Sequence, residues 1–168
     1  MSERWGRDYS QAELDRAQHI FGLAFPPDLV ALLRERRPVD GHDLTDEAAI
    51  RRMLEWPFEG LLFDVEHNAL WWAEWGERPA SADARREILH SVVARAPRLI
   101  PLIAHRFLPA QPGEAGNPVF SVYGSDVIHY GTDLADDFDR EFLGWDYRPW
   151  PGGIKHIPFW SELVQRNC

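Results

Sequence analysis

The hydrophobic pattern changes character once, at Leu99, and that change constrains the chain more than any other feature. Before it, apolar residues recur at helical spacing; after it, they come in short runs divided by Gly and Pro. Ser10, with Glu13 three residues on, opens an amphipathic helix that carries Leu14, Ala17 and Phe21 on one stripe and ends at Gly22. Pro26-Pro27-Asp28 starts a second helix with Leu29, Leu32 and Leu33 inward, and Pro38 stops it. Thr45 is expected to cap a third segment with Ile50, Met53 and Leu54 inward, closed by Pro57. Phe58 to Trp75 follows neither a helical nor a strand period and reads as a short helix followed by irregular or strand structure. Ser81 caps another helix, with Leu89, Val92 and Val93 on one side, ending before Pro97.

From Leu99 the run Leu-Ile-Pro-Leu-Ile predicts a strand, and Pro101, which cannot donate to a ladder, places it at an edge or a bulge. Pro109 to Pro118 reads as a loop. Val119–Tyr123 and Asp126–Tyr130 flank Gly124-Ser125, the pattern of a tight type II′ hairpin. Closing it pairs Val122 with Val127 and Phe120 with His129; both faces are apolar, so the hairpin is expected to be central. Thr132 is expected to cap a helix bearing Asp133, Asp136 and Asp137 in its first turns. A turn-rich stretch from Gly144 to Gly153 then leads to a short helix from about Pro158, with Trp160, Leu163 and Val164 inward.

With 168 residues the chain is about one domain. Its net charge of −9 repels phosphate backbones and anionic lipid, which excludes nucleic acid and membrane as expected partners. The single cysteine, Cys168, allows no internal disulfide and suits a reducing compartment. The first residues hold no apolar stretch of signal-peptide length, and nothing in the sequence approaches the roughly 20 apolar residues of a bilayer span, so a cytoplasmic location is expected.

Motifs that would carry catalysis are weak. No two histidines lie close in sequence, and neither a Gly-x-Ser-x-Gly elbow nor a phosphate-binding loop is present. Gly152-Gly153 with Lys155 reads as a turn, and Cys168 at the terminus is a poor nucleophile. The best alternative is a metal-dependent hydrolase using Asp64, Glu66 and His67, joined by His105 or His129.

The interval Glu55 to Glu77 is unusual. It carries Glu55, Glu59, Asp64, Glu66, Glu74 and Glu77, no Arg or Lys, and tryptophans at 56, 71, 72 and 75, half of the eight in the chain. A second acidic block runs from Asp126 to Asp146. Tryptophans anchor interfaces and fixed acids steer basic partners, so an aromatic-acidic binding surface is expected against the plainer alternative of core indoles and solvated acids. In extended backbone, adjacent Trp71 and Trp72 must point to opposite sides.

Several stretches together resemble one family. Gln18-His19-Ile20-Phe21-Gly22-Leu23-Ala24-Phe25-Pro26-Pro27-Asp28-Leu29 resembles the opening helix, loop, Pro-Pro and second helix of SUKH-superfamily domains, a group that includes the fungal Smi/Knr cell-wall synthesis regulators. Glu59 to Asn68, Trp75-Gly76-Glu77-Arg78-Pro79, Leu99-Ile100-Pro101-Leu102 and Asn117 to Gly131 are similar to bacterial members, so the resemblance spans roughly residues 10 to 143. The tail after Gly144 departs from the pattern. The resemblance implies a single α+β domain, with helices packed on a mostly antiparallel sheet, acting as a non-enzymatic binding module without cofactor or metal. Many bacterial members look like immunity proteins against polymorphic toxins; the fungal ones are regulatory scaffolds, the alternative role here. The expectation is a cytoplasmic immunity-type protein that covers a basic toxin domain, its carboxylates taking the place of phosphates. Glu66, Trp71, Trp72, Glu74, Trp75 and Asp137 are the expected contacts.

Overall fold

In the computed structural model, which describes residues 5–143 and 153–166 (side chains of 139–143 excepted), helices pack around an antiparallel sheet. The elements run β1 (Trp5–Gly6), α1 (Gln11–Phe21), α2 (Pro27–Glu35), β2 (Arg37–Pro38), α3 (Glu47–His67), α4 (Ala82–Arg95), β3 (Leu99–Ile103), β4 (Arg106–Pro109), β5 (Val119–Tyr123), β6 (Asp126–Gly131), α5 (Leu134–Leu143) and α6 (Trp160–Arg166). This is an α+β chain, with β1 and β2 forming a small ribbon beside the four-stranded sheet β3-β4-β5-β6.

Local chemistry sets most boundaries. Ser10, Asp46 and Ser81 accept hydrogen bonds from the backbone N–H groups of Glu13, Ala49 and Ala84, satisfying donors that helix starts leave orphaned. Gly22 ends α1 in the left-handed conformation that a Cβ disfavours. The cap of α3 is Asp46, not Thr45. At the start of α5 the acceptor for the Asp136 N–H is the Asp133 carboxylate, while Thr132 bonds to the Asp136 side chain.

The largest departure from the sequence reading is at Pro57. It does not close α3; it sits buried inside a helix that continues to His67. An interior proline costs about 3 kcal/mol, but each fully buried aliphatic side chain returns about 1.5–3 kcal/mol. Leu61 and Val65, both fully buried, extend the stripe begun by Ile50 and Pro57, so packing outweighs the proline. Beyond His67 the chain bends at Asn68 and Ala69, the latter at positive φ, is extended at Trp72 and makes one 3-10 turn, Ala73–Trp75.

In the sheet, Pro101 lies on edge strand β3, next to a bulge between Pro101 and Ile103. The β5–β6 hairpin has the expected register, Val122 opposite Val127 and Phe120 opposite His129, with Gly124 alone in its turn at positive φ. It is not central, however: β5 is interior and β6 closes one end of the sheet, because the chain leaves β6 into α5 instead of adding a strand. Neighbouring strand residues turn to opposite sides, dividing the core in two. Ile100, Leu108 and Val119 join α1, α2 and α5 residues; Phe107, Phe120, Val122 and Val127 join Leu61, Val65 and Leu89. Ile157, Phe159, Trp160 and Leu163 complete the second cluster, so the core reaches well past residue 143. The turn-rich stretch up to 152, with Trp145 and Trp150, and Cys168 lie outside the described residues.

Candidate functional site

The residues nominated from sequence do not form one open surface. Glu66, on α3, is clamped by Arg85 of α4, whose Nε and Nη2 donate to its two oxygens at 2.9 and 2.6 Å while Nη1 donates to the carbonyls of Pro79 and Ala80. That pairing holds the Glu66 carboxyl below its usual range and raises the guanidinium. Glu74 pairs with Arg166, whose guanidinium lies 3.7 Å from the centre of the Trp72 ring, and its carboxyl is lowered by that bond. Asp137 is fully buried against Arg106, at 3.5 Å, and cannot reach a partner.

The indoles are structural as well. Trp72 is buried, and Trp71 beside it is half-buried, its Nε1 donating to the Gly76 carbonyl. Trp75 stacks on Trp72 and meets Trp71 edge-on. From Trp72 the rings continue through Phe159 to Trp160, whose Nε1 donates to the buried Pro97 carbonyl at 2.8 Å. This train of rings fastens α6 to the segment after α3 and, through Pro97, to the chain just before β3.

A different aromatic face is open. Phe63 and Tyr123 are 58% and 62% exposed, among the largest apolar exposures in the described residues. Between them lies half-buried Trp56, fixed by donation from its Nε1 to the Val122 carbonyl at 2.9 Å. His105 stacks on Trp56 at 5.0 Å and meets Tyr123 edge-on; His67 leans on Phe63 at 4.5 Å. Exposed Glu59 lines the same groove as these rings, and Asp126 is exposed opposite Tyr123 at the hairpin. Only a loose contact of 3.7 Å ties Glu59 to Arg86. Two of the rings come from α3 and one from β5 because Gly60 and Gly124 let the helix and the turn touch: a Cβ on Gly60 would stand 2.9 Å from the Gly124 Cα.

Asp64 joins the two elements. Its Oδ2 accepts the Ser125 N–H at 2.7 Å and its Oδ1 the Asn68 amide at 2.7 Å. Partial burial pushes this carboxyl up, yet the donors outweigh burial and its pKa is lowered. Asp64, Glu66 and His67 thus have separate engagements, and among the described residues no group of three His, Cys, Asp or Glu side chains is placed to hold a metal ion.

Sequence reasoning missed Phe63, Tyr123 and Trp56 as a set. Phe63 stands off the buried stripe of α3, a signal that is readable only once the helix is carried through Pro57. Tyr123 follows inward Val122 and so points outward. No family model matches the sequence, and no curated protein or solved structure shows significant similarity to it. Among the described residues no helix is long and apolar enough to cross a membrane.

Proposed function

We propose that this chain is a non-enzymatic protein-binding module of the immunity type, working in the cytoplasm, that occupies the functional surface of a basic effector such as a nuclease toxin. The observation that carries this reading is the open face of Trp56, Phe63 and Tyr123 bordered by Glu59 and Asp126. Exposed, rigidly held aromatic rings are the residues that anchor interfaces, and a rim of acids on a chain of net charge −9 steers a positive partner. The resemblance to SUKH domains supports the same role. Glu66, Glu74 and Asp137 enter it only as framework, since their charges are already matched.

The test begins with the stoichiometric companion purified with the protein from its native cell. Its association rate is expected to fall about tenfold or more from low to high salt. Glu59→Lys with Asp126→Lys should slow association, and Phe63→Ala or Tyr123→Ala should speed dissociation. An acidic companion, or rates indifferent to salt and to all four substitutions, overturns the reading.

A further inference from the structure

We propose that the groove between α3 and the β5–β6 turn is a receptor for an arginine side chain presented by the partner. The groove measures ≈ 500 Å³; Trp56, Phe63 and Tyr123 wall it, Glu59 and Asp64 bring carboxylates to it, and among the described residues no arginine or lysine lines it. Its floor is the bare backbone of Gly60 and Gly124, packed so closely that neither could carry a Cβ without displacing the other or the Asp64 carboxylate. Depth is therefore set by main chain, and the walls are pre-positioned by the Trp56 bond to the Val122 carbonyl.

The rest of the molecule shows which occupant fits. Arg36 covers Trp5, Arg37 covers Tyr9, Arg166 covers Trp72 and Arg106 covers Tyr130, with guanidinium carbons 3.7 to 4.7 Å from the ring centres. Among the described residues no arginine covers Trp56, Phe63 or Tyr123, although these include the most exposed rings. A planar, weakly hydrated guanidinium can stack on such faces and fork onto a carboxylate; an ammonium can do only part of this. The Ser125 N–H and hydroxyl and the Asn68 amide hold Asp64 in its ionised form at the edge of the groove, so its negative charge faces a guanidinium there, while exposed Glu59 offers the carboxylate onto which a guanidinium can fork.

This inference rests on the protein-binding reading above but is tested apart from it. The full chain, ¹⁵N-labelled, is titrated with N-acetyl-arginine amide, and with the citrulline amide, a neutral analogue of nearly the same shape. Saturable shifts are expected at the Gly60, Phe63, Tyr123 and Gly124 amides and the Trp56 indole, with about millimolar affinity. Citrulline, and the Phe63→Ala and Tyr123→Ala variants, should each weaken binding roughly fivefold or more. Because both side chains are exposed, the unchanged remainder of the spectrum verifies that the variants fold. Equal response to citrulline, shifts centred elsewhere, or shifts at these groups on simple dilution, which would mark contact between copies of the chain, each overturn the proposal. If the ring variants weaken the companion while arginine amide does not bind, the arginine receptor falls and the binding reading stands; if arginine binds and the companion ignores the variants, the reverse holds.

Discussion

Gly60 illustrates how one residue sets the geometry of both the core and the open face. In a helix interior, Gly→Ala ordinarily gains about 1 kcal/mol, but here the new methyl would press on the Gly124 backbone, and overpacking of that kind costs about 1–3 kcal/mol. Because backbone cannot rotate away as a side chain can, the clash should win. Gly60→Ala is expected to lower the urea midpoint, by a net loss of about 1 kcal/mol, and a stabilised variant would show that the hairpin turn yields freely. Gly124 was legible from its place between two strand-like runs. Gly60 was not, since its partner lies 64 residues away and nothing in the local pattern marks it.

The two faces of helix α3 have separate duties. Leu61 is fully buried while Phe63, two residues on, is 58% exposed. Leu61→Ala should cost about 2–5 kcal/mol in chemical denaturation, whereas Phe63→Ala should change stability by less than about 0.5 kcal/mol and appear only in binding. A large stability loss at Phe63 would mean that the ring is packed after all. The caps at Ser10 and Ser81, the Gly22 stop and the hairpin register were readable because each depends on neighbours within a few residues. The passage of α3 through Pro57 was not: proline's local penalty is visible in sequence, and the burial that offsets it belongs to strands and helices distant in the chain.

Taken together, the described groups that respond to acid predict two stages of destabilisation. Burial lowers the pKa of His129, and hydrogen bonding lowers those of Asp64, Glu66, Glu74 and Asp43. In both cases the unfolded chain takes up protons that the folded chain resists, so stability falls as pH falls. The histidine contribution is complete above its ordinary value of about 6.5 and is lost as pH drops through the lowered folded value; the carboxylate contribution follows below about 4. Urea midpoints measured against pH should begin to fall near about 6.5, and His129→Gln should remove that first stage while leaving the acid one. An unchanged first stage in the variant would assign it to another group.

The acidic and tryptophan-rich interval shows the same division between near and far. Its composition announced an excess of rings and carboxylates, and an aromatic face did emerge from it, but through Trp56 and Phe63 and not through Trp71, Trp72 and Trp75. Short-range chemistry, meaning caps, turns and alternation, was written in the order of residues, because each of those effects acts between neighbours. Which carboxylate met an arginine, which indole was covered by α6 and which rings stayed open depended on contacts between elements far apart in the chain. A side chain's charge and shape come with its identity, whereas its solvent exposure and its partner exist only after the chain has closed on itself.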